Sequence, residues 1–402
     1  MASILYAWEF GANLGHVGAF MPLARALREA GHSVHWLVTQ PAVVGEFLAS
    51  ESFTWLAAPS VPETQRQGPP LTYADILLRF GYADPRALFG LVGGWREAMR
   101  LNGAQLVLAD HAPTAVLAAR TLNIPVMLFS NGFTAPPRVS PLPNMRPWTE
   151  VPGHVISQID QTALVSVNQV LRRHGCAQLE HLAELFVVAE EALITFPELD
   201  HYADRGPARY WGSLPSAGTG IRCEWPAGGG DNVGSRVFAY LRHECIHHEA
   251  VLAALFGSRS SSVIYFPGIA TDLQQRYSEP HMKFLSQPAD IDQMTQEADL
   301  AVTYASLATT TAFLLAGKPL LMLPSHLEQF LVARRVVEMG AGMLINPEQP
   351  PGDLRGALEA LQSNRSYREN AQAFATKYAA FDQSKVIRNL VRRIDELINA
   401  PR

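Results

Sequence analysis

The sequence has little of what marks disulfide-rich, membrane-spanning or nucleic-acid-binding proteins. Its 402 residues include 3 cysteines, Cys176, Cys223 and Cys245, whose odd number and wide spacing predict no disulfide framework and fit a reducing compartment. No apolar run reaches the about 18 residues that a transmembrane helix needs. A net charge of −5 without a lysine–arginine cluster disfavours general nucleic-acid binding. We therefore expect a cytoplasmic protein without a nucleic-acid partner.

The first 18 residues also lack the basic segment of a signal peptide. They contain no lysine or arginine, they carry Glu9, and the stretch Ser3–Trp8 is mostly apolar, which predicts a first β-strand. Hydrophobic residues make up 48% of the chain, enough for sizeable cores. At this length the natural expectation is two domains.

The stretch from Ala298 to Ile345 alternates strand-length apolar runs with helical segments. Leu300–Thr303 and Leu320–Leu323 are predicted to be parallel strands joined by a crossover helix. Ligands of such βαβ units bind at the carboxyl ends of the strands. Here those ends are Tyr304–Thr311 and Ser325–Gln329.

Both strand ends carry groups that suit a nucleotide sugar. Ser306–Thr311 is small and hydroxyl-rich and begins a helix, and a helix N-terminus favours a phosphate. Glu328 and Gln329 offer hydrogen-bond acceptors and donors that suit sugar hydroxyls.

This stretch resembles the nucleotide-sugar signature of GT-B fold glycosyltransferases of the UDP-glycosyltransferase and macrolide-glycosyltransferase kind. The residues that match the family pattern are Thr303, Thr309, Leu314, Gly317, Pro319, Pro324, Glu328, Gln329, Ala333 and Val336. The sequence departs from it at three places, one of them a pair of residues. Tyr304 stands where the family has a phosphate-binding histidine, and Ala305 and Ser306 stand where it has a pair of glycines. Ala312 stands where the family has a ribose-binding glutamate.

The resemblance implies an α/β protein of GT-B architecture, with two Rossmann-like, doubly wound parallel-sheet domains facing across a cleft. An acceptor-binding domain is expected over residues 1–205, and a linker rich in proline, glycine and polar residues over 206–235. A nucleotide-sugar-binding domain is expected over 236–382. The amphipathic helix over 383–402 is expected to cross back to the first domain.

His16 and Asp110 are the candidate catalytic pair. Taken alone, His16 is a surface or helix-start histidine, and Asp110 is the N-cap of the following helix. The pattern G-x-x-x-G-H-V from Gly11 to Val17, and the strand LVLAD that ends at Asp110, resemble family motifs. The resemblance implies that His16 deprotonates the acceptor hydroxyl and that Asp110 orients its imidazole, as a carboxylate does when it fixes a tautomer.

The donor site is expected at three strand ends of the second domain. The candidate donor-binding residues are Phe284, Leu285, Gln287, Tyr304, Ser306, Ala308, Thr309, Thr310, Glu328 and Gln329. Phe284 occupies the position of a base-stacking aromatic residue in the family, and ordinary core packing is the equal alternative. The run HECIHH, residues 243–248, has zinc-ligand residue types, but its spacing matches no standard metal site.

Proline-rich segments are expected to form the acceptor wall. Residues 41–75 are predicted to be loop-rich, either shaping an acceptor pocket or forming a disordered excursion, and Asn131–Pro147 is predicted to be a second proline-rich loop. Helices are predicted over Tyr73–Leu101 and Leu179–Ala189, and a strand over Leu193–Phe196 closes the first sheet.

The predicted function is metal-independent transfer of a sugar, with inversion, from a UDP- or dTDP-sugar to a hydroxyl of a small acceptor of apolar or lipid-like character. No permanently bound cofactor is expected, while peripheral membrane contact and the oligomeric state stay open. Since Ala312 cannot accept a hydrogen bond from a ribose hydroxyl, a deoxynucleotide sugar is one alternative donor. A non-catalytic GT-B protein that binds a ligand or partner is another reading, and a sugar-nucleotide epimerase is a third.

Overall fold

The computed structural model describes residues 1–12, 15–215, 220–227 and 235–400. The chain forms two compact units. The first contains Met1–Phe196, Tyr202–Ala217 and Asp382–Arg402, and the second contains Pro197–His201 and Gly218–Phe381. Parts of the predicted turn after the first strand, Asn13 and Leu14, and of the predicted linker, residues 216–219 and 228–234, lie outside the described residues.

The first unit is a parallel sheet whose strands alternate with helices. Its strands are β1 (Ser3–Trp8), β2 (Ser33–Val38), β3 (Trp55–Ala57), β4 (Leu106–Asp110), β5 (Val126–Ser130) and β6 (Glu190–Leu193). Its first helices are α1 (Gly15–Glu29), α2 (Pro41–Ser50), α3 (Tyr73–Leu77), α4 (Pro85–Leu101), α5 (Pro113–Leu122) and α6 (Gly153–Arg173). All residues of β4 and β5 are buried, as expected for strands covered on both faces.

The second unit repeats the same alternation. Its strands are β7 (Arg236–Tyr240), β8 (Ser261–Tyr265), β9 (Met282–Leu285), β10 (Leu300–Thr303), β11 (Leu320–Met322) and β12 (Gly342–Leu344). Its helices are α7 (His248–Ser258), α8 (Thr271–Arg276), α9 (Ile291–Glu297), α10 (Leu307–Leu315), α11 (Leu327–Glu338), α12 (Leu354–Ser363) and α13 (Arg365–Lys377).

The last helix, α14 (Gln383–Asn399), belongs to the first unit. Its apolar stripe buries Val386, Leu390 and Ile394. On its polar side the Arg393 guanidinium donates a hydrogen bond of 2.6 Å to the carboxylate of Glu190 in β6.

The two sheets have the same strand order. Within the described residues, the first reads β3-β2-β1-β4-β5-β6 and the second, from its other edge, reads β9-β8-β7-β10-β11-β12. All neighbouring strands are parallel. In each sheet the order reverses between two central strands, and ligands of such sheets bind outside the carboxyl ends of that pair. The switch points therefore lie at the ends of β1 and β4 and at the ends of β7 and β10.

The predicted α/β class and the parallel sheets are confirmed, and several local predictions are wrong. Residues 41–75 are not a continuous loop, because Pro41 starts α2 at a position where its missing N–H costs nothing. The predicted helix over Tyr73–Leu101 is interrupted near Gly81, whose φ of +91° no helix can continue. Only a short 3-10 turn, Leu182–Phe186, forms within the predicted helix Leu179–Ala189.

The sheet-closing strand was also misplaced, since β6 precedes and only touches the predicted Leu193–Phe196. No helix within the described part of the chain is long and apolar enough to cross a membrane.

Candidate active site

The predicted catalytic pair is in contact in the first unit. His16 Nδ1 lies 2.9 Å from Asp110 Oδ1, and the other oxygen of Asp110 accepts a 2.7 Å hydrogen bond from the Tyr6 hydroxyl. Asp110 is buried, whereas the His16 side chain keeps 17% of its surface exposed. A carboxylate in this position selects the imidazole tautomer with its proton on Nδ1 and its lone pair on Nε2.

The fold brings these two residues together at the first switch point. Asp110 is the last residue of β4 and stands opposite Trp8, the last residue of β1. His16 lies in the first turn of α1, and its ring stacks on Trp8 with ring centres 5.4 Å apart. The chain between them turns at Gly11, whose φ is +101°. A Cβ at Gly11 would lie 2.7 Å from His16 Nε2. Any residue other than glycine would therefore clash with the imidazole in its observed position.

Sequence reasoning missed a buried polar group beside this pair. Glu9 is 2% exposed, and one of its oxygens, Oε2, accepts a 2.9 Å hydrogen bond from the N–H of Thr114. Burial raises the pKa of Glu9, and hydrogen bonds from Thr114 and Ala115 partly offset this effect, so that the resulting pKa is about 8. Burial likewise lowers the pKa of His111 well below its ordinary value, and the nearby His16 lowers it further. Both groups are therefore neutral near pH 7.

In the second unit, α10 begins at the predicted phosphate-binding segment. Ser306 is its N-cap residue but makes no side-chain cap bond, and its hydroxyl instead donates to Thr309 Oγ1 at 3.0 Å. The first N–H groups of a helix lack acceptors within the helix, and Ala308 in this turn is exposed. Thr309 and Thr310 are buried. Backbone groups of this turn are thus better placed for an anion than the threonine hydroxyls.

Tyr304, at the position of the family's histidine, contacts two residues that sequence reasoning did not select. Its ring meets that of Tyr240 edge to face, with centres 4.9 Å apart. The guanidinium of Arg242 lies 5.6 Å from the Tyr304 ring centre. Burial, followed by its neighbour Tyr240, raises the pKa of Tyr304, so its hydroxyl stays protonated. A cation thus lies at the second switch point, two residues after the end of β7.

The backbone at this switch point is unusual as well. Ala305, in place of a family glycine, has a φ of +60° and is fully buried. Left-handed backbone is costly for a residue with a Cβ. Its N–H donates a 3.2 Å hydrogen bond to the hydroxyl of Thr303, which supports the turn.

The predicted sugar-binding residues lie after the neighbouring strand β11. Glu328 and Gln329 are half-buried in the first turn of α11. The side-chain oxygen of Gln329 accepts hydrogen bonds from the N–H of Ser325 at 2.9 Å and from its hydroxyl at 3.0 Å. Its oxygen is therefore engaged within the protein, and its amide nitrogen is the donor group of this side chain.

The residues predicted after β9 differ in exposure. Phe284 is half-buried and packs partly against the core of the second unit, and Leu285 is buried. Gln287 is exposed. This packing favours ordinary core packing over base stacking as the role of Phe284.

The histidines of residues 243–248 hydrogen-bond to backbone carbonyls. His243 Nε2 lies 2.6 Å from the oxygen of Gly268, and His247 Nε2 lies 2.9 Å from that of Gln349. His248 Nδ1 contacts the oxygen of Cys245 at 2.6 Å. In the described ranges no three histidine, cysteine or acidic side chains are grouped to hold a metal ion.

Comparison with known proteins gives relatives over nearly the whole chain. No protein-family model matches. A PGL/p-HBAD biosynthesis glycosyltransferase of Mycobacterium tuberculosis is 22% identical over 418 residues, which cover 94% of this chain and 90% of that protein. The calicheamicin glycosyltransferase CalG4 has a similar structure, with a TM-score of 0.70, 17% identity and 99% of each chain covered.

A second solved structure, the glycosyltransferase VinC in complex with dTDP, gives a TM-score of 0.66 at 17% identity, over 98% of this chain and 100% of that chain. The two similar structures show that this chain has the same fold. The sequence relative, which matches over nearly the whole chain, is a glycosyltransferase. The chain is therefore a glycosyltransferase of the GT-B fold.

Proposed function

We propose that the protein transfers a sugar from a nucleoside-diphosphate sugar to a hydroxyl group of a small-molecule acceptor, with inversion at the anomeric carbon. The observation that carries this proposal is the His16–Asp110 contact of 2.9 Å at the first switch point. A base oriented by a buried carboxylate is the group that such a reaction needs, because the acceptor oxygen must lose its proton as it attacks.

In the proposed step, His16 Nε2 takes the proton of the acceptor hydroxyl. The acceptor oxygen forms a bond to the anomeric carbon while the bond from that carbon to the diphosphate oxygen breaks. Asp110 accepts the Nδ1–H hydrogen bond and stabilises the imidazolium that forms, and the Tyr6 hydroxyl holds the second carboxylate oxygen. A direct attack of this kind inverts the configuration.

The leaving diphosphate is assigned to the second unit. The N-terminus of α10 carries partial positive charge and contains no acidic residue in its first turn. The guanidinium of Arg242, which also lies 3.4 Å from a carboxylate oxygen of Glu244, adds positive charge beside Tyr304. Because these groups can offset the charge on the leaving group, we propose that the reaction does not require a metal ion.

For the donor we favour dTDP-sugars over UDP-sugars. Ala312 offers no acceptor where the family has a ribose-binding glutamate, so a ribose 2′-hydroxyl gains nothing at this position. The structurally similar VinC was solved with dTDP. The acceptor is proposed to be a small molecule with a largely apolar frame.

The central experiment replaces the base. His16→Ala should lower kcat by roughly 10²-fold or more while the affinity for dTDP or UDP stays unchanged, because the nucleotide is assigned to the other unit. Transfer from dTDP-glucose and UDP-glucose to a panel of small hydroxylated acceptors is measured, and NMR of the product gives the anomeric configuration. His154→Ala, at an exposed histidine of the same unit, is the matched control. Near-wild-type turnover of the His16 variant would remove this residue from the mechanism.

A second variant tests the donor assignment. Ala312→Glu should strengthen binding of UDP relative to dTDP by roughly tenfold, since a carboxylate can accept hydrogen bonds from a ribose. Isothermal titration of both nucleotides against both proteins measures the ratio. An unchanged ratio would show that position 312 does not contact the ribose.

The altered donor residues Tyr304 and Ala312 favour one other candidate function, a GT-B protein that binds a ligand without catalysis. It predicts nucleotide or acceptor binding without turnover, and wild-type behaviour of the His16 variant in every assay. The contact between His16 and Asp110 supports sugar transfer over binding alone, because a protein that only binds a ligand does not require an oriented base.

A further inference from the structure

Three buried polar atoms without a partner lie close to the His16–Asp110 pair. They are Glu9 Oε1, the Tyr73 hydroxyl and His111 Nε2, and none of them has a hydrogen-bond partner among the described residues. Glu9 is 2% exposed and Tyr73 is 1% exposed. An unsatisfied buried polar atom destabilises the folded state, so native proteins rarely hold three near one another unless a ligand or ordered water completes them.

The three side chains, which we call the Glu9 cluster, surround the first switch point. Glu9 follows β1 directly and His111 follows β4 directly, and the N–H of Phe10 donates to the His111 carbonyl at 3.0 Å. The ring centre of Tyr73 lies 5.9 Å from that of His111. His111 in turn lies 6.1 Å from the candidate base His16, measured between ring centres. The His111 member of the cluster therefore lies beside the proposed base.

The unsatisfied atoms include at least two donors. The Glu9 carboxyl is neutral near pH 7, since burial raises its pKa to about 8. Its Oε2 already accepts from the N–H of Thr114, so the proton belongs on Oε1. Tyr73 is also protonated, because burial raises its pKa. What complements such donors is an oxygen with lone pairs.

Aromatic rings surround the cluster. The ring of Phe10 meets that of His111 edge to face at 5.3 Å, and the ring of Phe133 does so at 6.2 Å. Phe10 also stacks on Phe80 with centres 4.3 Å apart. Flat, apolar ligands suit such walls.

We propose that the Glu9 cluster binds a second oxygen of the acceptor, a hydroxyl or carbonyl on the carbon next to the one that bears the nucleophilic hydroxyl, on a flat aromatic frame. The inference rests on the proposed role of His16 as the base. With ring centres 6.1 Å apart, His16 and His111 can each face one of two neighbouring oxygens. The substrate class is thus ortho-oxygenated phenols and their polycyclic analogues.

Isomer pairs test this class. Catechol is compared with hydroquinone, and 2-hydroxyacetophenone with 4-hydroxyacetophenone, so that each pair differs only in where the second oxygen stands. Transfer from dTDP-glucose or UDP-glucose gives kcat/KM for each isomer. Binding of each isomer without donor is followed through tryptophan fluorescence, since Trp8 stacks on His16.

Variants of the cluster sharpen the comparison. Tyr73→Phe should lower the ortho preference by about tenfold, the value of one buried hydrogen bond. Glu9→Gln should keep it, because the amide N–H replaces the carboxyl O–H as the donor while the amide oxygen still accepts from Thr114. For each isomer pair, the ratio of the two kcat/KM values is compared between the wild type and the variant. The different intrinsic reactivities of the isomers cancel in this comparison. Tyr82→Phe is the matched control, because this equally buried hydroxyl already accepts from Thr114 Oγ1 at 3.3 Å. His111→Asn completes the set with a residue that tolerates the left-handed backbone at φ +48°.

The outcomes separate this inference from the proposed function. An ortho preference that Tyr73→Phe reduces and Tyr82→Phe retains supports the inference. Ortho-selective binding with the same variant pattern but without transfer supports it as well and counts against the transferase. Transfer without isomer preference, a preference that Tyr73→Phe leaves intact, or binding of none of the isomers overturns it, and nucleotide titration then reports on the transferase separately.

Discussion

The two units have the same strand order and opposite chemistry at their switch points. Asp110 ends β4 opposite Trp8, and Thr303 ends β10 opposite Tyr240, so the two residues occupy equivalent places. Asp110 contacts an imidazole nitrogen of His16, whereas the Thr303 hydroxyl accepts a hydrogen bond from the next turn of the backbone. The same framework therefore presents a proton acceptor in one unit and an uncharged turn in the other.

The residues after the first central strand differ in the same sense. Glu9 follows β1 with an unsatisfied carboxyl oxygen, and Leu241 follows β7 as part of the core. One position further along, the first unit has Phe10 and the second has Arg242. The first switch point is thus lined by aromatic rings and neutral polar groups, and the second by a cation and a helix N-terminus. This difference is the physical reason to assign the acceptor to the first unit and the diphosphate to the second.

Gly11→Ala tests the first switch point most severely. The new Cβ would meet His16 Nε2 at 2.7 Å and would also demand left-handed backbone of an alanine. We expect kcat to fall by roughly 10²-fold, as for a misplaced catalytic group, while nucleotide binding by the second unit is retained. Gly18→Ala in α1, where a Cβ meets nothing within 4 Å, is the control for glycine replacement. Full activity of the Gly11 variant would mean that His16 does not act from the position observed.

Glu9→Gln tests whether the first switch point holds a neutral carboxyl. Because the pKa of about 8 in the folded protein lies above the ordinary value of 4.5, the folded protein binds this proton more tightly than the unfolded chain does. The stability from Glu9 is full below pH 4.5, falls by about 1.4 kcal/mol per pH unit between 4.5 and 8, and is lost above 8. Glutamine does not titrate, so the variant should gain stability relative to the wild type across that window.

Urea unfolding at several pH values measures this difference. Glu97→Gln, at an exposed residue of α4, is the control for the same substitution away from the site. A constant offset between the Glu9 variant and the wild type from pH 5 to 8 would show that Glu9 is ionised in the folded state.

Arg242→Ala tests the second switch point and should have the smallest effect. Loss of one charge-assisted contact should weaken dTDP or UDP binding by about tenfold and leave the affinity for thymidine or uridine unchanged. Titration of nucleoside and nucleoside diphosphate separates the phosphate from the base. Arg276→Ala, at an exposed ion pair with Glu249, is the control. Equal losses for nucleoside and diphosphate would place Arg242 elsewhere in the site.

The sequence predicted the strands well and the segments between them poorly. Fully buried parallel strands such as β4 and β10 are short apolar runs, which can be recognised without knowing their neighbours. The helix at Pro41 was predicted as a loop, because proline starts helices as readily as it breaks them. The interruption near Gly81 depends on a left-handed residue that no periodicity reveals.

Within the candidate site, the sequence indicated the residues that belong to a pattern. His16 and Asp110 could be named because both fall at ends of predicted strands and within motifs. Glu9 and Arg242 belong to no motif, although each stands within two residues of a predicted strand end, and this position was the signal that could have drawn attention to them.

The amino-acid sequence by itself determined two α/β units, their parallel strands and the polar strand ends. Only the tertiary structure decided which of those ends carry charge. Burial raises the pKa of Glu9 to about 8, even though residues far away in the chain, Thr114 and Ala115, lower it through hydrogen bonds. Desolvation depends on everything packed around a group, and local sequence carries no record of those neighbours.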